Sequence, residues 1–242
     1  RRRAAKKLAL LLTLSPAALL AYRQMPVDAW RAAYQTATGE RRRVQLADGS
    51  EVQMNARTAF DTVFDTAQRL LVLHEGHVLI TTAPDTAQPA RPFRVQTPEG
   101  RVRAIGTRFL VTRADAWTDV GVFEGAVEVQ TSAQEVRTRV ISANQQLRMS
   151  TAGLSETEPL DGHAADWQFG ILHADNMTLG AFCARLARYR RGWIRCDPAV
   201  AYLLISGSFQ VDDTERVLRA LVATLPVRVT FHTRYWATLE RA

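Results

Sequence analysis

Few residues of this 242-residue chain combine type and spacing in a way that could do chemistry. The first is Thr107, which follows Gly106 inside the run from Arg101 to Val111. A hydroxyl directly after a glycine can attack a neighbouring carbonyl, and glycine allows the backbone distortion that such an attack needs. The same dipeptide equally suits a place where two backbones meet closely, so both readings stand. The second candidate is the pair Cys183 and Cys196, which would lie on a helix face and on the strand that follows it. Those positions put two thiols within bonding reach, as a disulfide or as a buried free pair. The third is His74-Glu75-Gly76-His77. It lacks the spacing of a zinc helix, its turn forms without an ion, and no metal is expected there. His163, His173 and His232 are read as isolated, solvated or core residues. Gly-x-Ser-x-Gly, a phosphate loop and a dinucleotide fingerprint are all missing, so neither a turnover enzyme nor a cofactor is expected.

The elements that must position Gly106 and Thr107 are strands. Val102 and Ala104 share one face, and beyond Gly106 the alternation resumes in the opposite phase with Phe109 and Val111. A bulge at the glycine produces that switch. Upstream, Arg43 to Met54 reads as a hairpin around Asp48-Gly49. The acidic-Gly punctuation recurs at Glu75-Gly76, Glu99-Gly100 and Glu124-Gly125, with glycines 27, 24 and 25 residues apart. A hairpin turn at each predicts a mainly β fold over 34–150, a stacked β-hairpin roll or short solenoid. A polar linker at 151–163 leads into a small α+β domain at 164–242, a strand-helix-strand unit used twice. In it Trp167 to Leu172 reads as a strand, Thr178 caps one helix, and Asp212 with Glu215 forms a capping box for another with the stripe Val217, Leu218, Leu221, Val222 and Leu225.

Charge points away from nucleic acid. The net +7 owes five charges to Arg1, Arg2, Arg3, Lys6 and Lys7, and the remaining arginines are scattered among acids. This basic flank at 1–7 precedes an apolar segment at 8–22 that contains Pro16. The pattern directs a chain into a membrane, as a cleaved signal or as an uncleaved anchor; the anchor is favoured because no small-x-small site stands out. The positive flank would then stay cytoplasmic, with a single pass through the inner membrane and the bulk of the chain in the periplasm.

Taken together, Thr36-Ala37-Thr38-Gly39-Glu40-Arg41, Leu46 to Ser50, Arg91-Pro92-Phe93, Ile105-Gly106-Thr107-Arg108-Phe109 and Val122 to Val129 resemble the periplasmic domain of FecR-type anti-sigma regulators. The resemblance continues through Trp167-Gln168-Phe169-Gly170 and Arg188-Tyr189. It implies a relay from the N-terminal signalling domain of a TonB-dependent outer-membrane transducer to an extracytoplasmic-function sigma factor. The sigma-binding segment of that family is cytoplasmic and is not part of this sequence. The final 79 residues resemble the small secretin-type domain of such transducers. Its exposed strand edges, expected at Tyr202, Leu203, Leu204 and Ile205 and at Arg234, Tyr235 and Trp236, would bind the partner by strand addition. Several members of the family break their own chain by an N-to-O acyl shift, which marks Gly106-Thr107 as the bond concerned. An exported glycan- or cell-wall-binding β protein is the alternative, although it gives the C-terminal domain no evident use.

Overall fold

The computed structural model describes residues 31–133 and 136–242. The expected basic flank and membrane segment lie outside them, and among the described residues no helix is long and apolar enough to cross a membrane. The protein is mainly β. Strands from β1 (Tyr34–Gln35) to β12 (Glu158–Pro159) form one twelve-stranded sheet that folds over its own core.

Three long strands give this sheet its shape: β5 (Arg69–Thr81), β7 (Gly100–Arg113) and β8 (Trp117–Thr131). Each bends at a glycine of positive φ, Gly76 at +96°, Gly106 at +67° and Gly125 at +78°. Each also changes partners at its bend. β5 pairs with β4 (Ala59–Phe64) and β6 (Phe93–Thr97) before Gly76, and with β3 (Glu51–Met54) after it. β7 pairs with β6 up to Ala104 and with β5 from Arg108 onward. β8 pairs with β10 (Gln145–Ser150) before Gly125 and with β9 (Thr138–Ser142) after it. The two halves thus close over one core, with Val102, Val127 and Ile141 on one side and Phe109, Val111 and Met149 on the other. Burying each such side chain contributes roughly 1.5–3 kcal/mol.

Hairpin turns occur at two of the four acidic-Gly pairs only. Asp48-Gly49 joins β2 (Arg42–Gln45) to β3, and Glu99-Gly100 joins β6 to β7. Glu75-Gly76 and Glu124-Gly125 lie inside continuous strands. At Gly76 a Cβ would come within 2.6 Å of Thr58 and Arg57, so the glycine admits a crossing segment and bends the strand instead of reversing it. The roll is therefore built from bent strands, not from stacked hairpins. Between β9 and β10 the chain turns at Asn144, in the left-handed conformation with φ +65°.

The C-terminal unit runs β13 (Ile171–Thr178), α1 (Leu179–Leu186), β14 (Trp193–Cys196), β15 (Leu204–Gln210), α2 (Thr214–Thr224), β16 (Val227–Thr233) and β17 (Trp236–Arg241). β13 pairs antiparallel with β15, while β17 lies between a parallel β14 and an antiparallel β16. Phe182, Leu186, Leu218, Leu221 and Leu239 share its core. Thr178 caps α1 as expected, accepting from Ala181 N. Three local expectations change. Asp166–Phe169 is a 3-10 turn closed by left-handed Gly170, so the strand begins only at Ile171. The cap of α2 is Asp213, which accepts from Arg216 N, because Asp212 is drawn to Arg41 at 2.6 Å and Glu215 to Arg219. Val222 is 47% exposed, outside the buried stripe.

Candidate functional site

The phase switch in β7 has a concrete form. Ile105 pairs with Ala126 and Arg108 with Glu124, so Gly106 and Thr107 together oppose Gly125. Two residues against one is a bulge, and both glycines take the left-handed conformation that it requires. Their reasons differ. A Cβ on Gly106 would meet nothing within 4 Å, so only its φ demands glycine. A Cβ on Gly125 would lie 2.3 Å from the Gly106 carbonyl oxygen, so here the demand is space.

Thr107 is 4% exposed, and its Oγ1 is buried without a hydrogen-bond partner among the described residues. An unpartnered buried hydroxyl costs about 1–3 kcal/mol. Its backbone, in contrast, is held twice by Thr82. Thr107 N donates to Thr82 Oγ1 at 3.0 Å, and the Thr107 carbonyl accepts from Thr82 N at 3.0 Å and from its hydroxyl at 3.3 Å. The peptide bond between Gly106 and Thr107 is therefore gripped on its nitrogen, while the adjacent hydroxyl is left unspent. Sequence reading missed Thr82, because it lies 25 residues away on a segment that only the roll brings alongside.

The other predicted residues divide. Cys183 and Cys196 are free thiols near one another, one on α1 and one at the end of β14, where Cys196 Sγ lies 3.9 Å from the Asp197 carbonyl. Burial, with the neighbouring Cys196 adding to it, pushes the Cys183 thiol far up, which makes it a poor nucleophile. Among Tyr202 to Ile205, only Tyr202 and Leu204 are exposed, at 69% and 52%; Ile205 is core, and Leu203 packs against that core. Arg234 and Tyr235 form the turn before β17, and Trp236 opens it. β17 is the middle strand of its sheet, so the expected edge there is absent. The edges of this sheet are β14 and β16, and on β14 Trp193 is 75% exposed beside Trp236, its register partner. Sequence reading missed Trp193 because a lone aromatic in a strand reads as core.

His74 pairs with Asp61 at 2.8 Å. His77 instead sits near the joint between the two units. There Arg188 Nη2 donates to the carbonyls of Ala56 and Arg57, and Tyr189 OH donates to Asn55 Oδ1. Gly39 N donates to the Arg188 carbonyl across the same joint. Burial, with Arg188 and Arg185 adding to it, pushes the His77 pKa down from 6.5 to about 3. A histidine that stays neutral when folded is one that the unfolded chain protonates first. Stability that is complete above pH 6.5 is therefore expected to fall as pH drops toward 3. His77→Gln should flatten this slope in denaturant midpoints measured across that range; an unchanged slope would refute the assignment.

Comparison with known proteins adds the following. The family model described as FecR protein matches residues 32–128, which reach from before β1 into β8. No curated protein matches. Two crystal structures of a candidate anti-sigma factor from Parabacteroides distasonis ATCC 8503 are similar. One has a TM-score of 0.71 at 24% identity, the other 0.70 at 25%, and each comparison covers 86% of this chain and 98% of that one. The likeness speaks to the fold, and its coverage exceeds the roll alone.

Proposed function

Since residues 32–128 match the FecR family model, we propose that the chain is a FecR-type signalling regulator of the anti-sigma kind, anchored in the inner membrane by its apolar N-terminal segment. Its exported region would receive a signal from the N-terminal domain of a TonB-dependent transducer and pass it to an extracytoplasmic-function sigma factor. The FecR match carries this reading. The joint supports it, because Arg188 and Tyr189 tie the C-terminal unit to the roll through backbone and side-chain hydrogen bonds, so a load on one unit reaches the other.

The receiving surface in this reading is the exposed aromatic end of the C-terminal unit, Trp193, Tyr235 and Trp236, together with Tyr202 and Leu204. Exposed tryptophans are frequent anchors of binding energy. Trp193→Ala is expected to weaken co-purification of the full chain with the transducer's N-terminal domain by about 10-fold or more, with the melting curve unchanged. Equal binding by the variant would exclude β14, and no binding by the wild type would exclude the transducer.

We further propose that the protein cuts itself once, between Gly106 and Thr107. Thr107 Oγ1 attacks the Gly106 carbonyl carbon, the new C–O bond closes a five-membered ring, and the hydroxyl gives up the proton that the amide nitrogen takes as it departs. The C–N bond then breaks, and Thr107 N takes a proton to become a free amine. Thr82 Oγ1, which accepts from that N–H, holds the amide in place while the bond is attacked. Water finally opens the ester, giving a Gly106 carboxylate and restoring the Thr107 hydroxyl. The positive φ of Gly106 and the unpartnered Oγ1 support this chemistry.

A further inference from the structure

Three residues that look unrelated in sequence converge just ahead of the C-terminal unit. The polar stretch ends in a turn in which Asp161 Oδ1 accepts from His163 N, and the 3-10 turn begins at Asp166. Left-handed Gly170 then reverses the chain into β13, which carries His173 back over that turn. His163 Nδ1 and His173 Nε2 each lie 2.8 Å from the same oxygen, Asp166 Oδ2. The two imidazoles stack with centroids 3.8 Å apart, and the three ligand atoms all fall within 4.8 Å of one another.

We propose that His163, Asp166 and His173 form a binding site for a divalent transition-metal ion of the zinc kind. Two imidazoles and one carboxylate are the donors such ions take, in preference to the all-oxygen sets of calcium or magnesium. Bonds of about 2.0–2.1 Å in a tetrahedron put ligand atoms about 3.3 Å apart, so the two N···O spacings need to open by about 0.5 Å, while the two ring nitrogens already lie within 4.8 Å of each other. The far nitrogen of one ring is already occupied. His173 Nδ1 lies 3.0 Å from Ser208 Oγ on β15, which leaves Nε2 for the ion and fixes the ring plane. His163 is 60% exposed and Asp166 25%, so the ion has a route in and a fourth position open to solvent. Trp167, next to Asp166, packs with Leu79 and Leu110 of the roll. A bound ion would therefore tie the segment that leads out of the roll to the first sheet of the C-terminal unit. This site is independent of the signalling reading and of the cut at Gly106.

The test is titration of the full chain in detergent, free of any histidine tag, with Zn2+ alone, and with Co2+ as a spectroscopic reporter. One Zn2+ per chain is expected. Co2+ should give the intense visible bands of a low-symmetry, nitrogen-containing site. His163→Ala, Asp166→Ala and His173→Ala should each abolish this binding or weaken it at least 10-fold, and Ser208→Ala should weaken it by about 10-fold through the ring it holds. His163 is exposed enough that its variant should melt as the wild type does, which keeps loss of binding distinct from loss of fold. Failure to bind, or stoichiometric binding that survives in the His163→Ala and His173→Ala variants, as it would if the ion sat on the Cys183 and Cys196 thiols, would overturn the proposal.

Discussion

Thr107→Ala is expected to leave the purified chain whole, where the wild type resolves on a denaturing gel into two pieces that meet between residues 106 and 107. The effect is all-or-none, because the substitution removes the hydroxyl oxygen that would form the ester, along with the γ-methyl beside it. Thr107→Ser and Thr107→Cys keep a nucleophile at the same place and should still cut. Thr82→Val separates nucleophile from positioning: it removes the hydroxyl that holds Thr107 N while nearly preserving shape. It should slow cutting by about 100-fold, the size expected when a reacting group is released from its position. Gly125→Ala should also impair cutting, since its Cβ would displace the Gly106 carbonyl. A wild-type chain that stays intact through long protease-free incubation would remove the proposal, and cutting in Thr107→Ala would point to an outside protease.

The second large effect concerns stability. The side chains of Asp48 and Arg69 are only 3% and 7% exposed and pair at 2.8 Å. Arg69 also donates to the carbonyls of Ala83 and Arg91, so one guanidinium joins the β2–β3 turn, the loop after β5 and the approach to β6. Asp48→Ala leaves that cation buried without its counter-charge, a loss of roughly 3–5 kcal/mol, or on the order of 10 °C in melting temperature for a chain of this size. The double variant Asp48→Ala/Arg69→Met should recover part of the loss, since it removes the stranded charge as well. Equal melting of the single variant and the wild type would show that the pair contributes little.

The bulge was legible because it leaves a mark in local order: apolar positions are even-numbered before Gly106 and odd-numbered after it, and that parity survives in burial. The caps were legible to within one residue, for the same local reason. The bends at Gly76 and Gly125 were not, because an acidic residue followed by glycine and then valine serves a turn and a bend equally well. What decides is a neighbour far away in sequence, Thr58 for the first and Gly106 for the second. The exposed strand edge was misplaced because a parallel partner, β14, comes from the other side of α2 and covers β17. His163 and His173 looked solitary because ten residues separate them, and only the reversal at Gly170 brings their rings together.

A cut at the bulge would change how the molecule carries force. In the whole chain, tension between the membrane side and the C-terminal unit runs through covalent backbone. Once nicked, it would run across non-covalent contacts: the joint at Arg188 and Tyr189, the pairing of β7 residues 100–105 with β8, and that of β5 residues 76–81 with β7 residues 108–113. Both ladders, several bonds each, would have to part before the two fragments could separate. The nicked roll would act as a mechanical fuse, silent at rest and irreversible once drawn.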